Sequence, residues 1–348
     1  MGSGLSPTHW AEGSLTASRR RTLTFAVLGL LMPVIVITGI AMGSVPLRFS
    51  DVWAFATGRA VDPTTEAILW TLRFPRVLIA VLVGGGLAVV GATFQSIFRN
   101  PMADAGILGV GSGAALGAVI AIKFGIGERV FLAIPLSAFV GAMIATGVVY
   151  ALGHAWGRPG TYGLLLTGMS VSALGGACTS LLLVTTEEYR VKTVLFWLAG
   201  GLEGRSWTHL SLGACFVLVG SVALLLFSRT LDALSLGEEE SRAIGVPVHW
   251  ARFGLLSFAS LVAGASTALA GSVPFVGLIA PHALRALVGP RARVLLPAAF
   301  LGGAILVTLA DLAARTLSNR LDLPLGALTA IVGAPYFVLA LRGAESRS

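Results

Sequence analysis

Lysine is nearly missing from this chain: 348 residues hold two, Lys123 and Lys192. A phosphate-binding loop of the Gly-Lys-Ser/Thr kind needs that lysine, with backbone amides, to reach the phosphates. Lys123 stands before Phe124 and Lys192 follows Val191, so neither belongs to such a loop, and any ATP-driven step must be supplied by another chain. Charge is scarce as well. Asp, Glu, Lys and Arg make up 11% of the residues and mean hydropathy is +0.88, whereas soluble domains carry roughly 25% charge. Cysteine is reduced to Cys178 and Cys215, both inside apolar runs and without C-x-x-C spacing, so no disulfide and no metal site follows. The apolar runs also lack paired carboxylates, a nucleophile with its base, or a metal-ligand cluster, which argues against a membrane enzyme. The net charge of +8, in so apolar a chain, orients loops rather than binding nucleic acid.

What the chain has is long apolar runs. Hydrophobic residues make up 55% of it. Unbroken runs of about 20 residues span a bilayer as helices, because irregular backbone cannot face lipid and barrels need alternating strands. The expected fold is an all-α polytopic membrane protein with about ten transmembrane helices, over 24–46, 75–97, 105–123, 130–153, 161–184, 208–228, 250–270, 275–288, 294–313 and 325–342. An even number puts both termini on one side. Residues 1–18 are polar and rich in Gly and Ser, and are expected to form a disordered leader; 19–348 read as one transmembrane domain. After Arg19, Arg20 and Arg21, the apolar run from Thr24 to Val45 exceeds the 7–15 residues of a cleaved signal core, so the first helix is retained. VKTVLFWLAGGLEG (191–204) is apolar but too short to cross, and reads as a re-entrant or interfacial helix between spans five and six. With the termini inside, 13 basic and 7 acidic residues fall on the inner side, against 11 and 9 outside. That bias agrees weakly with a positive interior, because Arg48, Arg59, Arg73 and Arg76 crowd one outer loop.

The 44 glycines gather in spans such as Gly84–Gly86 and Gly109–Gly117, where small residues let helices pack closely. GLAVVGATFQSIFRNP (86–101) and STALAGSVPFVGLIAP (266–281) both place Pro ten residues after Gly, as Gly91 to Pro101 and Gly271 to Pro281. This reads either as a relic of duplication or as chance similarity. His282, following Pro281, is expected to be a packing residue, with a heme-ligand or proton-relay role as the alternative.

Three places carry functional signal. In RTLDALSLGEEESRAIGVPV, Ser235 and Glu238 have capping-box spacing, Glu238 and Arg242 form an i, i+4 pair, and Gly245 with Pro247 supplies a stop. A short helix protruding into water is expected. In FRNPMADAG, Asn100 favours a turn and Pro101 blocks continuation of the helix. At the head of the second span LRFPR holds Arg73 and Arg76, and in LADLAAR Arg315 lies one turn beyond Asp311, which would hold it by an i, i+4 contact. Snorkelling arginines would look the same.

These motifs, with FVGLIAPHALRALVG and LPLGALTAIVGAPYFVLAL, resemble the permease subunit of bacterial ATP-driven, binding-protein-dependent importers for iron chelates, heme and cobalamin, over the chain from about residue 70 onward. The resemblance implies a type II ABC importer permease. It is expected to act as a homodimer with the substrate pathway between subunits, above two ATPase subunits that bind ATP and Mg, and below one periplasmic substrate-binding protein. It implies a multi-pass protein of the bacterial inner membrane, lying in the lipid bilayer with both termini cytoplasmic. Such a chain would hold no catalytic residue, cofactor or metal of its own. By the same resemblance Leu236, Gly237, Glu238, Glu239, Arg242 and Gly245 form the coupling helix that docks on the ATPase. Arg73, Arg76 and Arg315 receive acidic side chains of the binding protein. Asn100, Met102, Thr161 and Tyr162 form the cytoplasmic gate, although TYGLLLTG departs from the more common Ser/Thr-rich version. FWLAGGLEGRSW, with Phe196, Trp197 and Trp207, looks like the heme and cobalamin versions, so the expected cargo is heme, with a ferric siderophore or cobalamin as alternatives. An ion-coupled secondary transporter is the rival of another class. It needs ionisable sites near mid-membrane, and Asp311 and His282 both lie near span ends.

Overall fold

The computed structural model describes residues 7–43, 45, 47–155, 161–317 and 323–345. In chain order it runs through α1 (Pro7–Ala41), α2 (Phe49–Ala56), α3 (Pro63–Ala67), a π-helical segment (Ile68–Arg73), α4 (Phe74–Ile97), a 3-10 turn (Ala105–Leu108) and α5 (Val110–Lys123). There follow α6 (Ile126–Arg129), α7 (Ala133–Ala155), α8 (Thr161–Val184), α9 (Glu188–Ala199), α10 (Trp207–Leu226) and α11 (Ser228–Leu236). The last are α12 (Glu238–Ala243), α13 (Val248–Ala270), α14 (Val276–Val288), α15 (Ala292–Thr316) and α16 (Leu325–Glu345). No strand occurs among the described residues. Seven helices are long and apolar enough to cross a membrane, and three shorter apolar ones, Val110–Lys123, Val276–Val288 and Leu325–Tyr336, complete the ten expected spans.

Three local departures have physical causes. The second span begins at Pro63 rather than 75, because the π segment carries α3 straight into α4. Pro75 cannot donate to the carbonyl four residues back, and the wider π turn, with Phe74 N–H reaching Leu69 O, absorbs that loss. The third span opens with a tight 3-10 turn and Gly109 at φ 71, so α5 starts only at Val110. The leader is helical from Pro7, continuous with the first span, since extending an existing helix adds one hydrogen bond per residue fixed; residues 1–6 lie outside the described residues.

Helix α4 is the axis of the bundle: 89% of its most apolar stretch is buried, against 72% for α13 and 11% for α8. Lipid is as apolar as leucine, so close backbone contact has to hold such helices together. A Cβ on Gly84 would collide with the Gly303 carbonyl of α15, and one on Gly91 with the backbone of Gly277 in α14. The Gly91–Pro101 and Gly271–Pro281 repeat does not map onto equivalent structure. Gly91 is mid-helix and Gly271 is the C-cap of α13 at φ 68, while Pro101 lies in a turn and Pro281 inside α14. His282 lies edge-on to Tyr336, 6.3 Å between ring centres, in the packing role.

Arginine side chains tie the first span, Ser18–Ala41, at both ends. At its start Arg20 Nε donates to Leu287 O and Arg21 Nε to Val288 O, each at 2.9 Å. Its last carbonyls receive Arg73 and Arg315. The final turn of a helix leaves carbonyls without intrahelical partners, and a cation there also meets the negative end of the dipole.

Candidate functional site

Candidate residues collect at two opposite ends of the bundle, the Asp311 end and the α12 end.

At the Asp311 end the arginine cluster faces inward. Asp311, 1% exposed, accepts from Arg76 Nε at 2.9 Å and pairs with Arg315 Nε at 3.1 Å, the i, i+4 contact expected from the sequence. Arg73 Nη1 donates to Ile40 O at 2.7 Å, and Arg73 also reaches Ala41 O and Val45 O. Arg315 donates to Met42 O at 3.1 Å and Gly39 O at 3.0 Å. Arg73 and Arg315 are each 5% exposed, so they neither snorkel nor stand on the surface in this conformation. Among the described residues the exposed cations of this corner are Arg48 and Arg59, in the segment that carries α2.

Beside this cluster lies α9, the non-crossing helix expected between spans five and six. Its C-cap Gly200 (φ 75) accepts from Leu325 N–H at 2.9 Å, and Gly201 N–H donates to Ala270 O at 2.8 Å. These bonds pin the loop after α9 to the ends of α13 and α16. A cavity of about 260 Å³ opens under the loop, lined by Arg76, Phe196, Trp197, Arg205, Asp311 and Leu325 among others. Burial pushes the Arg205 guanidinium down to about 10. Sequence reasoning did not single out Arg205. Trp207 lies outside the cavity: its Nε1 donates to Trp70 O at 2.7 Å and the two indoles lie tilted against each other, 4.6 Å between ring centres.

At the α12 end the short helix forms, with a different start from the one expected. Ser235 is not its cap: Ser235 Oγ donates back to Asp232 O at 2.6 Å, and Gly237, at φ 139, is the N-cap. The left-handed backbone at Gly237 breaks α11 from α12, and buried Ser241 ties the corner by donating to Ala233 O at 2.8 Å. Glu238 pairs with Arg242 at 2.9 Å as expected, and also stands 3.6 Å from Arg252 of α13. The stop is a Schellman motif: Gly245 (φ 82) donates to Arg242 O at 2.9 Å and Val246 to Ser241 O at 3.0 Å. Charged Glu239 and Arg242 are exposed beside exposed Leu236 (58%), Ile244 (61%) and Trp250 (69%), a mixed apolar and ionic surface.

The Asn-Pro turn adjoins this corner. Asn100 Oδ1 accepts from Met102 N–H at 2.8 Å, Met102 is exposed, and a Cβ on Gly237 would sit 3.4 Å from Arg99 Nη1. Thr161 and Tyr162 open α8, and their side chains lie outside the described residues. Among the described residues no group of three or more His, Cys, Asp or Glu is placed to hold a metal ion.

The chain is similar to known proteins. The cobalamin import system permease protein of Halobacterium salinarum is 42% identical over 83% of this chain and 77% of its own. The hemin transport system permease protein of Yersinia pestis is 37% identical over 92% of this chain and 97% of its own. A solved structure described as a metal-chelate type ABC transporter in an inward-facing conformation superposes with a TM-score of 0.82 at 32% identity, covering 92% of this chain and 99% of that one. Residues 30–343 match the FecCD transport family, and the chain therefore belongs to it, as the permease of an ABC importer for metal chelates.

Proposed function

We propose that this permease moves heme from periplasm to cytoplasm across a bacterial inner membrane. Two copies form the pathway between them, served by two ATPase subunits and one periplasmic binding protein. The chain itself holds no cofactor and does no chemistry; it converts nucleotide-driven motion of its partners into alternating access. The α12 end faces the cytoplasm, so both termini do. Leu236, Glu239, Ile244 and Trp250 meet the ATPase, while Glu238, Arg242, Gly237 and Gly245 give the helix its shape. The adjoining turn at Asn100 and Met102, with Thr161 and Tyr162, gates the pathway on that side. The Asp311 end receives the binding protein: Arg73, Arg76 and Arg315 hold the corner from within, and Arg48 and Arg59 present charge to the acidic partner.

The observation that carries the cargo assignment is the outer cavity, whose walls combine aromatic Phe196 and Trp197 with cationic Arg76 and Arg205. A flat aromatic dianion such as heme offers both complements. The hemin permease of Yersinia pestis matches nearly the whole chain. Cobalamin is the second reading, favoured by the higher identity to the Halobacterium protein.

The test is uptake into proteoliposomes that hold this chain with its co-encoded ATPase and binding protein, with heme, a ferric siderophore and cobalamin run in parallel. Heme accumulation that stops without ATP is expected. Accumulation of a different chelate would discard the cargo and keep the mechanism, and ATP-independent uptake would return the ion-coupled transporter.

A further inference from the structure

We propose that the cavity under the α9 loop is a carboxylate-binding site built by Arg205 and Trp197. The two residues line one cavity, and each brings a buried donor with no acceptor: Arg205 Nε and Trp197 Nε1. Trp197 is 8% exposed. Indole and guanidinium groups can only donate, so the group that completes both is an acceptor and cannot be a second donor.

Charge points the same way. Arg73, Arg76, Arg205 and Arg315 converge on this end of the bundle, where buried Asp311 pairs with Arg76 and Arg315. Among the described residues Arg205 has no ion-pair partner, although Glu203 stands exposed at the rim of the same cavity. Its titration near 10 leaves it a cation at neutral pH. A cation held out of water without a counter-ion calls for an anion.

Size and wall chemistry select the anion. At about 260 Å³ the space falls below the roughly 300–1,000 Å³ of pockets that enclose whole ligands. It accepts an arm of a ligand and not a complete chelate. The apolar walls, including Phe196, Leu325 and Ala270, suit a short alkyl stem behind the charged group. A carboxylate on one or two methylenes has both parts, and its two oxygens can accept from Arg205 and Trp197 together. Two sources supply that chemistry: a propionate arm of heme, which rests on the function proposed above, or a free carboxylate of the medium, which does not.

The full chain, in nanodiscs with its ATPase subunits, is titrated with sodium propionate against sodium chloride at matched ionic strength, and thermal unfolding is followed. Propionate is expected to raise the midpoint saturably, chloride is not, and Arg205→Gln should weaken the apparent affinity about tenfold or more. Trp197→Phe should weaken it less, and Arg205→Lys should retain part of it, so the comparison survives should Arg205→Gln fail to fold. Equal behaviour of propionate and chloride, or an unchanged propionate response in all three variants, overturns the site. A second arm compares ATP-driven uptake of heme and of its dimethyl ester. Preference for the free acid, lost in Arg205→Gln, names the cargo as source; equal uptake with propionate binding intact names the free carboxylate and upholds the site. Propionate binding without any ATP-driven uptake overturns the importer reading alone, whereas ATP-driven uptake without propionate binding overturns the site alone.

Discussion

Asp311 holds two arginines with one carboxylate, and the cost of removing it decides what the arginines are for. Its oxygens meet Arg76 and Arg315 at 2.9 and 3.1 Å in a buried setting. Breaking a buried pair by deleting one partner costs roughly 3–5 kcal/mol, because the remaining charge is left uncompensated. Asp311→Asn is therefore expected to lower the thermal unfolding midpoint of the purified permease substantially; an unchanged midpoint would mean that the arginines need no counter-ion there. Arg73 and Arg315 spend their donors on carbonyls at the end of α1, so reversing their charge should injure the fold as a whole. Docking is better read from Arg48 and Arg59, which are exposed. Charges at the rim of an interface act mainly on association rate and salt dependence. Arg48→Glu with Arg59→Glu should slow capture of the binding protein several-fold, most at low salt, with the unfolding midpoint preserved. Unaltered capture kinetics would move the landing surface away from this corner.

Among the elements, α12 shows how far local sequence rules reach. Its existence, its Glu238–Arg242 pair and its Gly245 stop follow from spacing alone, because each depends on residues a turn apart. Its start does not. Ser235 offers the right oxygen at the right spacing, but Gly237 takes a backbone conformation that ends α11 first and turns that hydroxyl back onto Asp232. The arginine clamps were illegible for a related reason. Their acceptors are backbone carbonyls, which carry no residue identity and lie up to 276 positions away. Two parts of α12 now separate in a test. Glu238→Ala with Arg242→Ala removes the ionic contacts that orient the exposed face, and is expected to leave ATP hydrolysis running while uptake falls. Ser241→Ala removes a buried bond to Ala233 O and should lower stability by about 1 kcal/mol, the usual net worth of such a bond. Coupled transport at the normal ratio in the Glu238 and Arg242 double variant would remove α12 from the transmission path.

For the whole molecule, seven of the ten crossings were legible because each leaves about 20 apolar residues in the sequence, and three shorter apolar helices complete the plan. Which helix faces what was not, since lipid, a second copy and an aqueous pathway all accept small or apolar side chains. Exposure in the monomer now narrows the choice. Helix α10 shows Phe216, Leu218, Val219, Val222 and Leu226 outward, bulky side chains suited to acyl chains. Helix α8 is buried over only 11% of its most apolar stretch, yet along one exposed stripe it carries Ser170, Ala173, Ala177 and Ser180. Small residues at that spacing permit backbone-close approach of another helix, which a lipid-facing stripe does not need. If two copies meet along α8, Ala173→Cys in a background lacking Cys178 and Cys215 should give a covalent dimer with a short bifunctional maleimide in native membranes, while Val219→Cys should stay monomeric. Cross-linking at Val219 and none at Ala173 would put the seam on α10 and turn α8 toward lipid, and the pathway between copies would have to be redrawn around different helices.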